Sequence, residues 1–416
     1  MLDPQFVRNN TEAVKRNMSE RKMDSAIVGL WLSTDKRRRE IIAKVEGMRQ
    51  ERKRRGGSKD TSQEERMRIK EIKVELSAHE EALEKIESEW NNLLQQIPNM
   101  HPGDVPIGQT DADNTVAFQS ANIPKFTFIP RDHVDITTPR GLIDFERGAK
   151  VAGSQFYFLQ GDMVLLEMAV IQFIFDLVIQ KGYLPLHTPD VARSRYYLGT
   201  GYNPRGDEAQ TYEIKDEDLG LIATAEITTA GYHADEIFVI SELPKKYISI
   251  SHCFRKEAGA YGKYSRGLYR THQFTKLELF VYCHPSDSEK FHQEILNIEK
   301  EVMEKLNIPY RVLNICTGDL GSMAAKKYDV EAWMPGRNEF GEVTSTSNCT
   351  DYQARNLNIR YREKDNAMHY VHMLNGTAGA LSRLLITIVE NYQQSDGSIM
   401  VPEVLRKYML GGKKII

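Results

Sequence analysis

In the segment LNGTAGALSRLLITIVENYQ, Arg383 is the only charged residue between Met373 and Val389. A guanidinium in so apolar a stretch is expensive to bury unless an anion meets it. Arginine keeps its charge, and its fork matches a phosphate or carboxylate with two parallel hydrogen bonds. Well upstream, YISISHCFRKEAGAYGKYSRGLYRTHQFTKLELFVYC reads as strand, Gly-rich basic loop, strand. Arg255 and Glu257 lie where the first strand gives way. Two apart on an extended chain, they share a side, so one can clamp a phosphate while the other accepts from a base amine. The loop carries Gly259, Gly262 and Gly267, the cations Lys263, Arg266 and Arg270, and Tyr261, Tyr264 and Tyr269. Glycines allow close backbone approach, cations take phosphates, and tyrosines offer stacking faces to unpaired bases. An ordinary solvated hairpin loop is the other reading of this stretch alone. With Arg383, it suggests a site for a polyanion such as a nucleoside triphosphate.

Three carboxylates stand out beside the arginines. Glu278 sits among apolar residues in TKLELF, although its neighbour Lys276 also allows a plain surface ion pair. Glu226, in IATAEITT, follows an uncharged stretch from Leu219 to Ala225. Glu342, in GEVTSTSN, is followed by the hydroxyls of Thr344, Ser345, Thr346 and Ser347. A carboxylate with hydroxyl oxygens is hard-ligand chemistry that suits magnesium on a nucleotide.

These residues need a sizeable scaffold, and 416 residues allow two or three domains. A net charge of -3 means that nucleic-acid binding must come from local clustering. The four cysteines (Cys253, Cys283, Cys316, Cys349) form no CxxC pair, which argues against a disulfide scaffold or clustered zinc and for a reducing compartment. No positively charged leader with an apolar core opens the chain. The longest apolar run, Met163 to Gln180, is broken by Glu167 and Asp176 and reads as a buried helix rather than a membrane span. The expectation is a soluble, cytoplasmic protein.

Residues 62–97 carry a heptad: Ile69, Leu76, Leu83, Trp90 and Ile97 recur every seven residues, with Ile72, His79, Ile86 and Leu93 at the d positions. Before it, Ile27, Trp31, Ile41, Val45 and Met48 outline a second, more interrupted seam. GGSKDTSQ separates the two, with glycines to end one helix and Ser62 or Thr61 to cap the next. An antiparallel helical hairpin, a coiled-coil arm over about 27–97, is predicted. Between Lys36 and Lys59 there are eleven Lys or Arg and three acidic residues, whereas Glu64 to Glu89 is mainly acidic. An oligomerisation arm is one use for such a hairpin; the one-sided basic field favours gripping phosphate backbones. Residues 98–125, with four prolines and little periodicity, read as a linker into the body. The predicted domains are 1–100, a linker over 101–125, and 126–416. Beyond the linker, YFLQGD, GYLPLHTPDV, LGLIATAE, KKYISISHCF, TKLELFVYC, YRVLNIC, AKKYDVEAWMP and HYVHMLN alternate with single helices. That order predicts an α+β fold with a mostly antiparallel sheet. No GxGxxG or GxxxxGK[ST] appears, so neither a Rossmann nor a P-loop site is supported.

At this point the residues resemble a known family. FRKEAG…RGLYRTHQF is similar to motif 2 of class II aminoacyl-tRNA synthetases, NGTAGALSR to motif 3, and GYLPLHTPDV, with Pro189, to the motif 1 strand of the dimer interface. Almost the whole chain resembles seryl-tRNA synthetases, including MLDPQFVRNN, TAEIT, CTGDLGSMAAKKYDVEAWMPG and EVTSTSNCTDYQAR. The resemblance implies a homodimeric ligase that activates L-serine with ATP and charges tRNA-Ser, and tRNA-Sec where that tRNA exists, through the arm. By the same resemblance, Arg255 holds the α-phosphate and the serine carboxylate, Glu257 the adenine amine, and Phe274 stacks on adenine. Arg383 takes the γ-phosphate, and Lys256, Thr271, Val343 and Thr344 complete the ATP pocket. Glu342 and Ser345 hold Mg2+ with ATP, and Arg255, Arg383 and Glu342 form the catalytic set. Thr224, Ala225, Glu226, Arg255, Glu278 and Thr377 fall at the serine positions, and no zinc is expected. Thr346 stands where many members have Cys, Thr344 and Thr377 where many have Ser, and Asn356 replaces the second Arg of a frequent ARR run.

A carboxylate attacking an α-phosphate is already a nucleophile, so catalysis there rests on positioning and on neutralising spreading negative charge. Other class II synthetases append a C-terminal anticodon-binding domain, for which the 33 residues after Arg383 are too few. The alternative is a synthetase-like paralogue that activates an amino acid for a non-tRNA acceptor. Such paralogues lack the long arm.

Overall fold

The heptad becomes a long helix. In the computed structural model, which describes residues 1–56, 62–120, 123–202, 211–257 and 266–416, the chain forms two units, Met1–Met100 and His101–Ile416. The first holds α1 (Pro4–Asn9), α2 (Thr11–Glu20), α3 (Ala26–Gly56) and α4 (Gln63–Leu94). Ser62 caps α4 by accepting from the Glu65 amide; Thr61 and Lys59 lie outside the described residues. Contacts between α3 and α4 pair low numbers with high: Trp31 meets Trp90 at 5.7 Å between ring centroids, Thr34 donates to Glu89, Arg38 to Glu87 and Arg49 to Glu80. The two helices are therefore antiparallel. Ile72, Leu76 and Ile86 are buried in the seam, while Ile97 is buried after α4 has ended.

One part of the hairpin escapes the apolar pattern. Asp35 is buried at the base of α3, with 1% of its side chain exposed, and accepts from Arg8 at 3.0 and 3.1 Å, from Arg39 Nε at 3.1 Å and from Trp90 Nε1 at 3.0 Å. Four donor contacts offset the loss of hydration that a lone buried carboxylate would suffer. The basic run is also partly consumed within the hairpin. Arg37, Arg38 and Arg49 pair with Glu89, Glu87 and Glu80 of α4, whereas Arg52, Lys53 and Arg54 near the tip are exposed.

The second unit is built on an eight-stranded sheet: β1 (Thr115–Gln119), β2 (Leu184–His187), β3 (Lys245–Phe254), β4 (Gln273–Cys283), β5 (Tyr310–Asn314), β6 (Lys326–Met334), β7 (Glu339–Asn348) and β8 (His372–Ala380). Their order across the sheet is β1-β5-β6-β7-β8-β4-β3-β2, antiparallel except for the β2–β3 pair at one edge. The α+β fold is thus as expected. Helices α5 (Asp162–Ile179), α7 (Ser288–Lys305) and α8 (Leu381–Asn391) share one apolar core with the sheet, through Leu166 and Phe173, Ile295 and Val302, and Leu384 and Ile388. The short α6 (Ala225–Gly231) packs on β3 and β4. The run from Met163 is the buried helix α5, and no helix among the described residues is long and apolar enough to cross a membrane.

Two segments differ from the expectation. Residues 101–120 are not a tether: Thr115–Gln119 is the edge strand β1, Asp104 pairs with Lys326 at 2.6 Å, and Gly108 bonds Thr317. Their polar backbone is satisfied by the sheet edge, which a scan for apolar alternation does not see. GEVTSTSN, singled out for its hydroxyls, is the central strand β7. Replacing Asp35 with Ala strands Arg8 and the Trp90 N–H. Asp35→Ala should cost about 2 kcal/mol, below the full penalty for a broken buried pair because both arginines remain partly in water. Chemical denaturation followed by helical circular dichroism measures it, and an unchanged midpoint would show Asp35 to be dispensable.

Candidate active site

The strands of the central sheet converge their polar residues on one cavity of about 250 Å³. The ends of β3 and β4 supply Arg255, Glu257, Phe274, Lys276 and Glu278; β7 supplies Glu342 to Ser345; β8 and α8 supply Asn375, Thr377 and Arg383; α6 supplies Glu226. Strand alternation explains most of this, because residues two apart share a face. Two irregularities explain the rest. Opposite Val330 and Glu331 stand Thr344 and Glu342, so Val343 is an extra residue in β7. Such a bulge reverses the alternation, and Glu342 and Ser345, three apart, both line the cavity. In β8, Ala378 is extra in the same way, with Thr377 opposite Glu278.

Charge in the cavity is paired in advance. Arg383 Nη1 lies 3.1 Å from Glu342 Oε1 and donates to the Glu342 carbonyl at 3.1 Å, with its guanidinium over the Tyr269 ring. The nearly buried Lys276 and Glu278 are 2.5 Å apart. Thr377 Oγ1 donates to Glu278 at 3.3 Å. Lys276 and Glu278 are two apart on β4 and face inward together, so the surface-pair reading of Glu278 fails. Arg255 stands 5.3 Å from the Phe274 ring centroid, and Arg270 pairs with Glu257 at 3.0 Å. Glu226 accepts from Gln353 at 2.7 Å and Asn375 at 3.0 Å.

Electrostatics separates the carboxylates. Burial pushes Glu226 up to about 7, helped by the nearby negative charge of Glu278. Burial also works to raise Glu342, but Arg383, Lys327 and Arg255 outweigh it and hold that carboxyl below its ordinary range. Asp329, opposite Ser345 in the ladder, is pushed up to about 6 by burial, with Lys327 at 3.1 Å acting against the rise. One wall thus keeps an ionised carboxylate among cations, and the other holds a carboxyl that titrates near neutrality.

Of the residues singled out in the sequence, Arg255, Glu257, Thr271, Phe274, Glu342, Val343, Thr344, Ser345, Arg383, Glu226, Glu278 and Thr377 border the cavity. Lys256, Thr224 and Ala225 do not. Lys256 lies over the Tyr212 ring, Thr224 caps α6 by accepting from the Glu226 amide, and Ala225 is fully buried. Thr344 reaches the cavity rim, but its hydroxyl is turned to Glu299. Gly259, Gly262, Lys263, Tyr261 and Tyr264 lie outside the described residues. Sequence reading missed Tyr202, Lys327, Asn375 and Ser382 in the lining. For Lys327 a signal existed: Lys327-x-Asp329 repeats the Lys276-x-Glu278 pattern, opposite charges two apart within a strand. Asn375 carries no such mark, because its role depends on Glu226 of a different element.

A family model for the class II tRNA synthetase core domain (G, H, P, S and T) matches residues 211–392, and one for the seryl-tRNA synthetase N-terminal domain matches residues 1–101. The serine–tRNA ligase of Dictyoglomus turgidum is 48% identical, with 98% of each chain covered. A crystal structure of seryl-tRNA synthetase from Pyrococcus horikoshii complexed with ATP superposes with a TM-score of 0.91 at 38% identity, covering 100% of this chain and 99% of that one. The cytoplasmic serine–tRNA ligase of Naegleria fowleri in complex with AMP gives 0.84 at 35% identity, over 98% and 95%.

The pairing of the two inner carboxylates makes a direct prediction. Glu278→Gln removes a negative charge beside Glu226, so the Glu226 midpoint should fall below about 7 while burial keeps it above the ordinary 4.5. Carbon-13 carboxyl titration by NMR reads this, and an unmoved midpoint would mean that the two groups do not interact.

Proposed function

The chain belongs to the seryl-tRNA synthetase family, and from that premise we propose that its cavity forms seryl-adenylate from L-serine and ATP and that the helical arm brings in the tRNA. The observation that carries this reading is the meeting of two kinds of charge in one cavity. Arg255 and Arg383 suit phosphates and a carboxylate; Glu226 and Glu278 suit an ammonium and a hydroxyl. Serine beside a triphosphate needs both sets.

In this reading the serine carboxylate attacks the α-phosphorus and pyrophosphate leaves. Arg255 binds the carboxylate and α-phosphate and neutralises charge as it spreads in the transition state. Arg383 holds the γ-phosphate, and Phe274 and Glu257 receive the adenine, with Thr271, Val343 and the Thr344 rim closing the pocket. Ionised Glu226 accepts from the serine ammonium. Glu278 and Thr377 take the hydroxyl, so alanine would leave buried polar groups unpaired. Thr224 acts through the start of α6, which it caps. Among the described residues no cluster of three or more His, Cys, Asp or Glu could hold a metal, but Mg2+ usually takes one or two protein oxygens and leaves the rest to phosphate and water. Glu342, kept ionised by its cations, and Ser345 on the same face fit that habit, and Mg2+ bound there would neutralise phosphate charge.

The acceptor is tRNA-Ser, and tRNA-Sec where that tRNA exists. The exposed Arg52, Lys53 and Arg54 make no ion pair among the described residues, which supports a phosphate grip near the tip rather than along the whole basic helix. A homodimer is supported by the apolar surface left on Leu184 of edge strand β2 and on Met168 and Ile179 of α5. Four scattered cysteines with no CxxC pair suit the cytoplasm.

ATP–pyrophosphate exchange tests the chemistry. Arg383→Ala should cut serine-dependent exchange by orders of magnitude with the fold retained, and a loss under about threefold would sink the phosphate role. Changing Arg52, Lys53 and Arg54 together to Ala should spare exchange yet weaken tRNA binding. The slope of log affinity against log salt should become shallower by about 0.9 for each phosphate that the arm no longer neutralises. An unchanged slope would place the grip elsewhere.

A further inference from the structure

One buried acid lies outside all of these roles. Glu299, on α7, is fully buried beneath the sheet, on the face opposite the cavity. Its Oε2 accepts from Thr344 Oγ1 of β7 at 3.1 Å, and the Thr377 amide of β8 faces the same carboxyl. Its Oε1 is buried without a hydrogen-bond partner. The approach to β8 is close: a Cβ on Gly376 would stand 2.8 Å from Glu299 Oε1 and 2.3 Å from Ile295, one helical turn earlier on α7.

The position along the strands gives the contact its meaning. The β7–β8 ladder runs only over Thr346–Asn348 against Leu374–Gly376. Past that point β7 stays with β6 and β8 stays with β4, so the sheet forks. Glu342 and Ser345 lie on one branch, and Thr377 faces Glu278 on the other. Glu299 reaches both branches just past the last ladder pair. A leucine would fill such an interior at far lower desolvation cost, so a carboxyl there implies a constraint other than burial.

We propose that Glu299 is a positioning residue for adenylate formation, setting from below the spacing between the β7 branch, with Glu342 and Ser345, and the β8–β4 branch, with Thr377 and Glu278. The proposal rests on the assignment of the cavity to ATP and serine. Serine and most of ATP take their contacts from the β8–β4–β3 branch and so bind without it, and Glu299 matters when Glu342 and Ser345 of β7 must be in line with them, where small misplacements are costly in rate. Burial raises this carboxyl well above the ordinary range, and the nearby charges of Asp329 and Glu278 act in the same direction, against the hydrogen bonds from Thr344 and Thr377.

The test uses the full-length chain and three variants. Glu299→Leu keeps the volume and removes the bridge; it should lower kcat for exchange more than tenfold while the Kd values for ATP alone and serine alone stay within about threefold. Glu299→Gln, which keeps a neutral hydrogen-bonding group, should recover kcat to within about fivefold of the native chain. Thr344→Val should lower kcat in the same sense, and its effect should not add to that of Glu299→Leu. If Glu299→Leu does not fold, the Gln and Val variants carry the same contrast. The positioning role is overturned if kcat survives the loss of the bridge, or if both Kd values collapse together with the melting temperature. A native chain without serine-dependent exchange would overturn the assigned reaction and this proposal with it, whereas an active native chain with an unaffected Glu299→Leu removes the positioning role alone.

Discussion

The second unit is organised around charge held where water can barely solvate it. Arg383 with Glu342, Lys276 with Glu278, and Lys327 with Asp329 face one another at 2.5 to 3.1 Å around a single cavity. Each ion alone would be prohibitively costly there, and each pair is tolerable only while its geometry holds. A sheet can hold it. Ladder hydrogen bonds fix the strands, alternation fixes the faces, and the apolar layer of α5, α7 and α8 resists deformation from behind. A cavity with its dipoles and charges already aimed needs little reorganisation when a polyanion enters and its charge spreads.

The same arrangement divides the carboxylates by task. Glu342 sits among cations that hold its carboxyl below the ordinary range. Glu226 sits near another acid, and its burial outweighs the pull of Lys276 and Arg255, so it is poised near neutrality. Neither property belongs to glutamate as such; both come from which charges the neighbouring strands bring close.

The arm obeys a different economy of charge. Its long basic run looks uniform in the sequence, yet arginines along the shaft are matched to acids on the return helix and serve the hairpin itself. Among the described residues, the exposed Arg52, Lys53 and Arg54 near the tip have no such match. Asp35 at the base shows the converse, a single acid that gathers two arginines and an indole where an apolar seam alone was expected.

Much of this was legible from the residues alone. The heptad dictated a helical seam, because its period matches the helical turn, and the short break at GGSKDTSQ implied that the two helices run antiparallel. Arg383 betrayed itself by its isolation, and Arg255 with Glu257 by their spacing. Resemblance along the whole chain carried the family, and the comparisons bear it out. Tertiary structure decided what depends on partners distant in sequence. The edge strand within the proline-rich segment, the inward turn of Lys276 and Glu278, the diversion of Thr344 to Glu299, and the hold of Asn375 on Glu226 all arise from pairings that no local pattern encodes. Local periodicity reports which face of an element is apolar. Which polar group stands opposite, and hence which charge survives burial, is settled only when the strands are laid side by side.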